Sequence, residues 1–517
     1  MDNFIVIGGG SAGCVIASRL SEDPSIHVTL MEAGPATSHI GIDDPKRWHT
    51  LGGSVFDWAF TTSCQKYTAG RKHQWPRGKI LGGSSSINAM AHVRGHPSDF
   101  DDWKNDGCND WSYDDLLPYF IKSETSAYSE SPYHGATGPL QLMQPDSPHE
   151  ITQCFLAAAE GFGMQPIAEH NGAKMLGPTL NTLNIVDNKR QSAADAYLRP
   201  ALARNNITVV DNCLVDRLLI NKNGGCIGVT YIKNGNTNEI YSTAGVILCA
   251  GAIGSPQILL RSGIGCAKRA QKLGIQPTID LPGVGQNLHD HCLGAGNMYL
   301  SRRALPKSQY QHSESLLYVD TKSSCGKPDI VLACVVLPVA TEQFELPTDE
   351  SAYTIMYGVT SPKSRGMIEL QSTDPFAHPI IDPNYLGHPE DRISFIDALD
   401  FAREIGASSM LSEWRKSEHL PGPNIQSIAE KTIFNAQAAF THHHPVGTCR
   451  MGTDSTSVVS PRLQVHGIEN LFVVDASIMP KITSGPTNAA VVAIAEKASD
   501  IIQNRSTLQP VTIKERI

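Results

Sequence analysis

The N-terminal part of the chain reads Phe4-Ile5-Val6-Ile7-Gly8-Gly9-Gly10-Ser11-Ala12-Gly13. The four leading apolar residues predict a central parallel strand, because such strands are buried on both faces. A glycine turn follows, and residues 14–20 then show the apolar spacing of a helix. A second apolar strand, residues 27–31, ends at Glu32. The order of strand, glycine turn, helix, strand and acid is typical of a dinucleotide-binding unit.

The glycines and the start of the helix each have a physical task in such a unit. Gly8 allows a tight turn, Gly10 lets the backbone approach a diphosphate, and Gly13 lets the helix pack closely on the sheet. Ser11 and Ala12 open the helix, where free N–H groups and the helix dipole favour an anion. These residues are therefore expected to contact the diphosphate of the cofactor.

The acid after the second strand restricts the kind of nucleotide. Glu32 can accept hydrogen bonds from a ribose diol, and Ala33 beside it is expected in the same site. A carboxylate there would repel the 2′-phosphate of NADP. It does not distinguish NAD from FAD, so later segments must identify the cofactor.

Size and composition exclude several other classes of protein. The chain has 517 residues, 41% of them hydrophobic and 18% charged, which fits a folded protein of roughly two to four domains. A net charge of −9 argues against a nucleic-acid partner. The 12 cysteines form no CxxC pair, and the apolar run 330–337 is far shorter than the ~20 residues that span a bilayer. We expect a cytoplasmic protein with no membrane partner, and the sequence does not indicate its oligomeric state.

Three later segments extend the pattern. The first is a glycine-serine loop between basic residues, which alone fits either a phosphate-binding nest or a flexible loop: Pro76-Arg77-Gly78-Lys79-Ile80-Leu81-Gly82-Gly83-Ser84-Ser85-Ser86-Ile87-Asn88-Ala89-Met90. The second, residues 251–265, is a glycine turn that leads into an amphipathic helix. The third, residues 470–477, is a strand that ends in Asp475.

Together these segments resemble the glucose–methanol–choline (GMC) family of FAD oxidoreductases. Shorter matches extend the resemblance over essentially the whole chain, in order, at residues 57–58, 111–120, 364–366 and 382–386. The resemblance implies a fold of the α/β plus α+β type, with a Rossmann-like FAD-binding lobe and a discontinuous substrate lobe built on an antiparallel sheet. The expected FAD lobe comprises residues 1–150, 200–290 and 450–517, and the expected substrate lobe comprises 151–199 and 291–449.

The resemblance also implies further contacts with non-covalently bound FAD. They are expected along the flavin, ribityl chain, diphosphate and adenine, at Gly83, Ser84, Asn88, Ala89, Val215, Asp475, Ala476, Pro486 and Thr487. Val215 would meet the adenine through its backbone, although a β-branched residue in a strand needs no ligand to explain it. His92 follows the glycine-serine loop, where some relatives carry a covalent link to flavin; a packing role is favoured here.

A run of histidines stands in Thr441-His442-His443-His444-Pro445-Val446-Gly447-Thr448-Cys449. Alternate residues of an extended segment share a side, so only His442 and His444 are expected to converge. No HExxH motif or nearby pair of carboxylates completes a metal site, and we expect no metal. A solvated histidine cluster remains an alternative, but a catalytic role is favoured.

Alcohol oxidation requires removal of the hydroxyl proton while hydride leaves the carbon for flavin N5. Histidine suits this role, because its unperturbed pKa of about 6.5 lies near working pH. The family places its catalytic histidine three residues before Gly-Thr-Cys, which is His444 here. His442 could reach the same cavity and orient the substrate.

One position departs from the family pattern. The family usually supplies a second histidine or asparagine from the loop that reads Ser484-Gly485-Pro486-Thr487-Asn488 here, and Pro486 occupies that position. Proline can neither accept a proton nor hydrogen-bond an alcohol, so His442 would take over part of that work. An apolar ring at Pro486 also suits a flat heteroaromatic substrate.

The favoured activity is oxidation of a small primary alcohol to an aldehyde, with O2 as the electron acceptor and hydrogen peroxide as a product. A dehydrogenase that passes electrons to a quinone or another protein would share the same motifs. A lyase of the hydroxynitrile kind and a protein with purely structural FAD are further alternatives. The residues of the motifs do not identify the substrate, because the segments that build its pocket carry few motifs.

Overall fold

The computed structural model describes residues 2–37, 39–322, 326–348 and 350–513. A five-stranded parallel sheet forms its first layer, as the apolar N-terminal strand predicts. In sheet order, its strands are Leu471–Val473, Gly245–Leu248, Asp2–Ile7, Ile26–Met31 and Ile207–Val210. The N-terminal strand lies in the middle, and Ile5 and Val6 in it are fully buried.

The helix after the glycine turn packs on the central strand and on a second helix. The helix Ser11–Leu20 begins directly after the glycine turn, and the last long helix, Thr487–Ile502, packs against it. Almost every residue of the last helix is buried. Its own side chains are mostly small or apolar, which allows neighbouring elements to pack around it. The N-terminal and C-terminal parts of the chain therefore share one hydrophobic core.

A small antiparallel sheet lies in the chain between two strands of the parallel sheet, Ile207–Val210 and Gly245–Leu248. Its strands are Leu214–Ile220, Cys226–Lys233 and Asn236–Tyr241. The first of them packs against the helix Gly251–Arg261. This sheet therefore lies at the side of the parallel sheet where Glu32 ends its strand, since Cys213 N–H donates to the Glu32 carbonyl at 3.0 Å.

A seven-stranded antiparallel sheet forms the core of the second part of the molecule. Its strands are Cys292–Gly294, Met298–Ser301, Ser315–Val319, Ile330–Val335, Ala352–Val359, Arg415–Leu420 and Ala439–Thr441. The helix Pro389–Ala407 packs on the strand Ala352–Val359, which is buried along its whole length. Tyr357 and Phe395 contact each other across this interface, with ring centroids 5.3 Å apart.

Shorter elements connect these layers. The remaining α-helices are Ile40–Asp43, Pro97–Asn105, Tyr113–Ser123, Glu150–Gly161, Arg199–Ala201, Ala267–Lys272 and Ile428–Ala438. Short 3-10 or π-helical turns span Pro45–Thr50, Gly83–Ser86, Ala194–Leu198, Ser409–Leu411 and Ala476–Ile478. Two-stranded pairs join Phe60–Thr61 to Gln74–Trp75, Glu124–Thr125 to Leu140–Gln141, Ile185–Val186 to Lys189–Arg190, Ile264–Gly265 to Ile279–Asp280, and Met367–Glu369 to Ile380–Asp382.

This arrangement confirms the predicted fold class. The parallel sheet takes strands from separate parts of the chain, whereas every strand of the large antiparallel sheet comes from residues 292–441. The exact lobe boundaries, 1–150, 200–290 and 450–517 against 151–199 and 291–449, stay a prediction. In the described ranges, no helix combines the length and the apolar character that crossing a lipid bilayer requires.

Candidate active site

The glycine turn after the central strand leaves no space for side chains at Gly8 and Gly13. Gly8 has φ of +99°, which favours glycine, and a Cβ on Gly13 would lie 1.9 Å from the Gly8 carbonyl oxygen. A Cβ on Gly10, in contrast, would meet only two atoms at 3.9 Å or more. The turn is therefore tight where strand and helix pack, and open in front of Gly10, where a diphosphate is expected.

The glycine-serine loop lies directly against this turn. The Gly82 N–H donates to the Gly9 carbonyl at 2.7 Å, and a Cβ on Gly83 would lie 2.6 Å from the Cα atom of Gly10. Ser84, Asn88 and Ala89 are half-buried, whereas most of their neighbours in the loop are buried. Of the two interpretations of this loop, the packed arrangement favours a phosphate-binding nest over a flexible segment.

Two helix N-termini meet at this place. Neither the helix that starts at Ser11 nor the one that starts at Thr487 has a side-chain cap, since Gly10 and Pro486 occupy the capping positions. Ser11 Oγ donates to Asn488 Oδ1 at 2.7 Å and so holds the two ends together. Uncapped N–H groups at paired helix ends suit an anionic group, so these residues fit the diphosphate and the flavin of FAD.

Glu32 lies at the end of its strand, beside the glycine turn. Its two carboxylate oxygens accept the N–H groups of Gly9 and Gly34, each at 2.8 Å. Burial raises the pKa of Glu32 to about 7, although these hydrogen bonds oppose the shift. Each carboxylate oxygen can accept a second hydrogen bond, so a ribose diol still fits here. Ala33 follows at the half-buried edge.

Asp475 joins two of the segments that the sequence singled out. Its carboxylate accepts the Gly251 N–H at 2.9 Å, the Ser255 hydroxyl at 2.5 Å and the Ser477 N–H at 2.8 Å. The strand Leu471–Val473 is thereby tied to the helix Gly251–Arg261. The segment after the histidines joins the same place, because the Gly447 N–H donates to the Ala476 carbonyl at 3.3 Å.

Val215 is buried in the first strand of the small sheet. It pairs with Tyr231, and its carbonyl accepts a hydrogen bond from Arg261 Nη2 at 3.3 Å. The strand position alone accounts for this burial, so the adenine contact of Val215 stays a prediction. Asn88 has internal partners as well, since its Oδ1 accepts from Met90 N–H and Arg190 Nη1.

The histidine run bulges out of an antiparallel pairing. Residues 289 and 446 pair through their backbones, and His442 N–H donates to the His291 carbonyl at 2.9 Å. Residues 443–445 therefore face the single residue Asp290. His443 takes a left-handed backbone conformation with φ of +66°. As the sequence predicts, His442 and His444 converge, with ring centroids 4.3 Å apart.

Asp290 holds this bulge from inside. Its carboxylate accepts the His444 backbone N–H at 2.7 Å, the Thr441 hydroxyl at 2.6 Å and the Tyr385 hydroxyl. Burial raises the pKa of Asp290, whereas these hydrogen bonds and the nearby Arg77 cation oppose the shift. A buried carboxylate with several donors is a rigid anchor, because unpairing it would be costly. β-Bulges next to active sites commonly re-aim side chains in this way.

His291 is the site residue that the motifs did not indicate. Its Nδ1 lies 2.9 Å from Nδ1 of His444, and its Nε2 lies 2.9 Å from the Thr360 carbonyl oxygen. The segment His289-Asp290-His291 was the available signal, since it places two histidines around an acid directly before the apolar residues that follow.

The imidazoles of the site are neutral near pH 7. Removal from water lowers the pKa of His291 to about 4, and it lowers the pKa values of His442 and His444 well below 6.5. Burial and the Arg77 guanidinium lower the pKa of His443 to about 3. A neutral imidazole can accept a proton, so the protonation state required of a general base is present.

The same three imidazoles could also approach a metal ion. Ring nitrogens of His291, His442 and His444 lie within 4.8 Å of one another. The shortest of these contacts, 2.9 Å between the two Nδ1 atoms, is already a hydrogen bond. The absence of a metal in the working enzyme stays a prediction.

His289 links the histidine segment to the loop of Pro486. Its Nδ1–H donates to the Asn287 carbonyl at 2.6 Å, and its Nε2 accepts the Ile482 N–H at 3.0 Å. The Pro486 ring is buried and precedes the last helix. Its contact with substrate or flavin stays a prediction.

His92 lies in a separate buried cluster of charges. Its Nε2 is 3.5 Å from the Glu124 carboxylate, which also pairs with Arg94 at 2.8 Å. The side chain is fully buried against these groups. This environment favours the packing role over a covalent link to flavin.

The dinucleotide-binding sheet and the segment of neutral imidazoles meet at the hydrogen bond between Gly447 and Ala476. This combination is typical of a nucleotide-dependent oxidoreductase. The chain belongs to the GMC oxidoreductase family: models of that family match residues 2–293 and 362–495. Members of this family depend on FAD, and the glycine turn, the paired helix ends and Glu32 fit that cofactor. The chain is therefore an oxidoreductase that acts on the CH–OH group of small-molecule alcohols.

Known relatives extend over nearly the full length. Pyridoxine 4-oxidase of Microbacterium luteolum is 42% identical, with 95% of this chain and 97% of that protein covered. Mitochondrial choline dehydrogenase of Homo sapiens is 38% identical over 98% of this chain and 90% of its own. The crystal structure of pyridoxine 4-oxidase from Mesorbium loti superposes with a TM-score of 0.95, at 41% identity, and covers 98% of this chain and 100% of that one.

Proposed function

We propose that this protein is a pyridoxine 4-oxidase, which oxidises the 4′-hydroxymethyl group of pyridoxine to give pyridoxal and passes the electrons to O2 to give hydrogen peroxide. The observation that carries the proposal is the convergence of His442 and His444 in a chain that has Pro486 at the second polar position. Histidines two apart with a proline at that position resemble bacterial pyridoxine 4-oxidases. The reaction would belong to the degradation of vitamin B6.

The charges around the histidines favour a neutral heteroaromatic alcohol over choline. Arg77 is the cation that acts on His443 and His444, and its Nη2 donates to the His443 carbonyl at 2.7 Å. A positive charge there opposes a quaternary ammonium. Asp290 is already engaged by three donors and is buried behind the bulge. Choline remains the principal competing substrate because of the 38% identity to choline dehydrogenase.

In the proposed mechanism, bound FAD would supply the hydride acceptor, at N5 of its ring. His444 takes the hydroxyl proton at Nε2, which has no hydrogen-bond partner among the described residues. The C–H bond electrons leave as hydride, and the oxygen lone pair freed by deprotonation forms the C=O bond. His442 lies beside His444 and orients the substrate oxygen. His444 then holds one proton, and the alcohol has lost one proton and one hydride.

The proposed FAD contacts comprise three groups of residues. The diphosphate would meet the turn and helix start at Gly8, Gly10, Ser11, Ala12 and Gly13, with Glu32 and Ala33 at the ribose. Gly83, Ser84, Asn88, Ala89, Asp475, Ala476, Pro486 and Thr487 would line the flavin side, and Val215 the adenine. We infer non-covalent binding, since His92 faces Glu124. Acid precipitation should therefore release all the FAD into the supernatant.

Anaerobic mixing of the purified yellow protein with pyridoxine, followed by air, tests the proposal. Bleaching of the flavin absorbance with fast recolouring and peroxide formation is the expected result. Bleaching with slow recolouring would indicate a dehydrogenase with another acceptor. No bleaching by pyridoxine, together with bleaching by choline, would overturn the substrate assignment. Release of an aldehyde and cyanide from a hydroxynitrile without bleaching would indicate a lyase.

A further inference from the structure

His291 lies directly behind the proposed base. It precedes the strand Cys292–Gly294 and is 2% exposed, and its ring stands nearly perpendicular to that of His444, with centroids 5.2 Å apart. Its two ring nitrogens face two different groups, Nδ1 of His444 and the carbonyl of Thr360, each at 2.9 Å. The backbone of His444 is held by the neighbouring residue, Asp290. Adjacent residues of one strand segment thus contact the backbone and the side chain of His444.

The hydrogen-bond partners determine which nitrogens carry hydrogen. The Thr360 carbonyl can only accept, so Nε2 of His291 must donate to it. In a neutral imidazole the other nitrogen is then an acceptor. Nδ1 of His291 therefore accepts, and the hydrogen between the rings belongs to Nδ1 of His444. Since His444 is neutral as well, its Nε2 has a free lone pair.

Other groups near His291 do not change this assignment. The Thr483 carbonyl and the more distant charge of Asp99 favour the protonated ring, but burial outweighs both and lowers the pKa of His291 to about 4. The rings of His442 and His444 carry no charge at neutral pH for the same reason. Arg77, the remaining charged group that acts on His444, also opposes a second positive charge there.

We propose that His291 is a positioning residue, which holds His444 in the tautomer with hydrogen on Nδ1 so that Nε2 takes the proton of the alcohol. This inference rests on the proposed role of His444 as the base, and it does not depend on which alcohol is oxidised. An orienting partner of this kind matters because an imidazole in the other tautomer offers an N–H, where the reaction needs a lone pair. As the proton arrives at Nε2, the Nδ1–H bond to His291 also stabilises the imidazolium.

Two substitutions separate tautomer control from simple packing. His291→Asn places Oδ1 close to the original Nδ1 position and keeps an acceptor for His444. His291→Leu fills a similar volume without an acceptor. The matched control is His149→Leu: His149 is also buried, its Nε2 faces the Pro306 carbonyl at 3.1 Å, and its Nδ1 accepts from Ile151 N–H at 3.1 Å, at the start of the helix Glu150–Gly161.

The first readout is the rate constant of flavin reduction at saturating alcohol, measured by anaerobic stopped flow alongside the dissociation constant. His291→Leu should lower that rate constant by about 10²–10⁴-fold, the range expected when a base loses its correct tautomer. The dissociation constant and the FAD content should change little. His291→Asn should recover most of the rate, and His149→Leu should leave it unchanged.

The second readout needs no substrate. In ¹⁵N-histidine-labelled holoenzyme, a signal that disappears in His444→Ala identifies His444, and it should show a protonated Nδ1 and an unprotonated Nε2. In His291→Leu the two nitrogens should show mixed protonation. An unprotonated Nδ1 in the wild type, or equal rates in the leucine and asparagine variants, would overturn the proposal. If pyridoxine does not reduce the flavin, only the substrate assignment fails, because the tautomer is still measured.

Discussion

The carboxylate of Asp290 accepts a 2.7 Å hydrogen bond from the backbone N–H of His444. Its other oxygen accepts the hydroxyls of Thr441 and Tyr385. One buried acid thus fixes the turn in which both converging histidines stand. Both oxygens are engaged by donors of the protein itself, which fits a mechanical role.

Asp290→Asn should therefore lower both stability and catalysis. The amide presents N–H₂ where a donor already points, so at least one buried donor loses its acceptor, at a cost of about 1–3 kcal/mol. Flavin reduction should slow by at least tenfold, as small misplacements of a base are costly. Asp454→Asn is the control, since the Asp454 side chain is 52% exposed in a surface pair with Arg450. Thermal unfolding and stopped-flow reduction measure the two effects, and an unchanged melting temperature in Asp290→Asn would contradict the anchoring role.

His444→Ala should reduce the rate constant of flavin reduction by about 10²–10⁴-fold, because the hydroxyl proton then has no positioned acceptor. His442→Ala should mainly weaken substrate binding, because its proposed role is orientation. Anaerobic stopped flow separates the two constants in each variant. A loss in His444→Ala that is confined to affinity would reassign His444 to binding, and unchanged alcohol turnover would show that another group takes the hydroxyl proton.

Pro486→Asn should have opposite effects on stability and on activity. Residue 486 is the N-cap position directly before the last helix, where proline makes no side-chain cap, and asparagine there can cap the helix, which is typically worth about 1 kcal/mol. A polar side chain would, however, replace the apolar ring proposed to lie against pyridoxine, so affinity for pyridoxine should fall. Thermal unfolding and substrate titration test both parts. Faster pyridoxine turnover with no loss of affinity would show that the proline is not a substrate platform.

The local geometry of the glycine turn was readable from the sequence. Strand, glycine turn, helix and acid follow one another within the first 32 residues, and each has a steric or electrostatic reason that does not depend on the rest of the fold. The contacts of Gly8, Gly13 and Gly83 agree with that reasoning. The sequence paired His442 with His444 by the alternation of side chains along an extended segment, whereas the structure brings the two rings together in a bulge in which His443 has φ of +66°.

The contacts of Asp290 and His291 with His444 could not be predicted from the sequence. His291 reaches His444 only because residues 289–291 pair with residues 442–446, which are about 150 positions further along the chain. No local period or spacing encodes such a pairing. The three residues 443–445 lie opposite the single residue Asp290, and this bulge likewise becomes visible only when segment 289–291 is paired with segment 442–446. A single sequence shows which residues of a segment alternate, but it does not show with which distant segment they pair.

Acid should weaken both the activity and the stability of the protein. The pKa values of His442 and His444 lie well below 6.5 in the folded chain, that of His291 is about 4, and an unfolded histidine titrates near 6.5. Below pH 6.5 the unfolded chain therefore binds more protons than the folded chain, and stability falls as pH falls. Well above pH 6.5 these groups are neutral in both states and contribute no change in stability.

Glu32 has the opposite effect on the pH dependence of stability, because its pKa is raised whereas the pKa values of the histidines are lowered. A Glu32 variant therefore separates its contribution from that of the histidines. Its pKa of about 7 exceeds the unfolded value, so its contribution to stability rises as pH falls from about 7 toward 4.5. Melting temperatures of wild type and Glu32→Gln between pH 8 and 5 should show a steeper acid loss in the variant. The acid limb of flavin reduction should lie below pH 6.5 in both, since it reports His444. An acid limb above pH 6.5 would mean that the base is not the buried, neutral imidazole seen here.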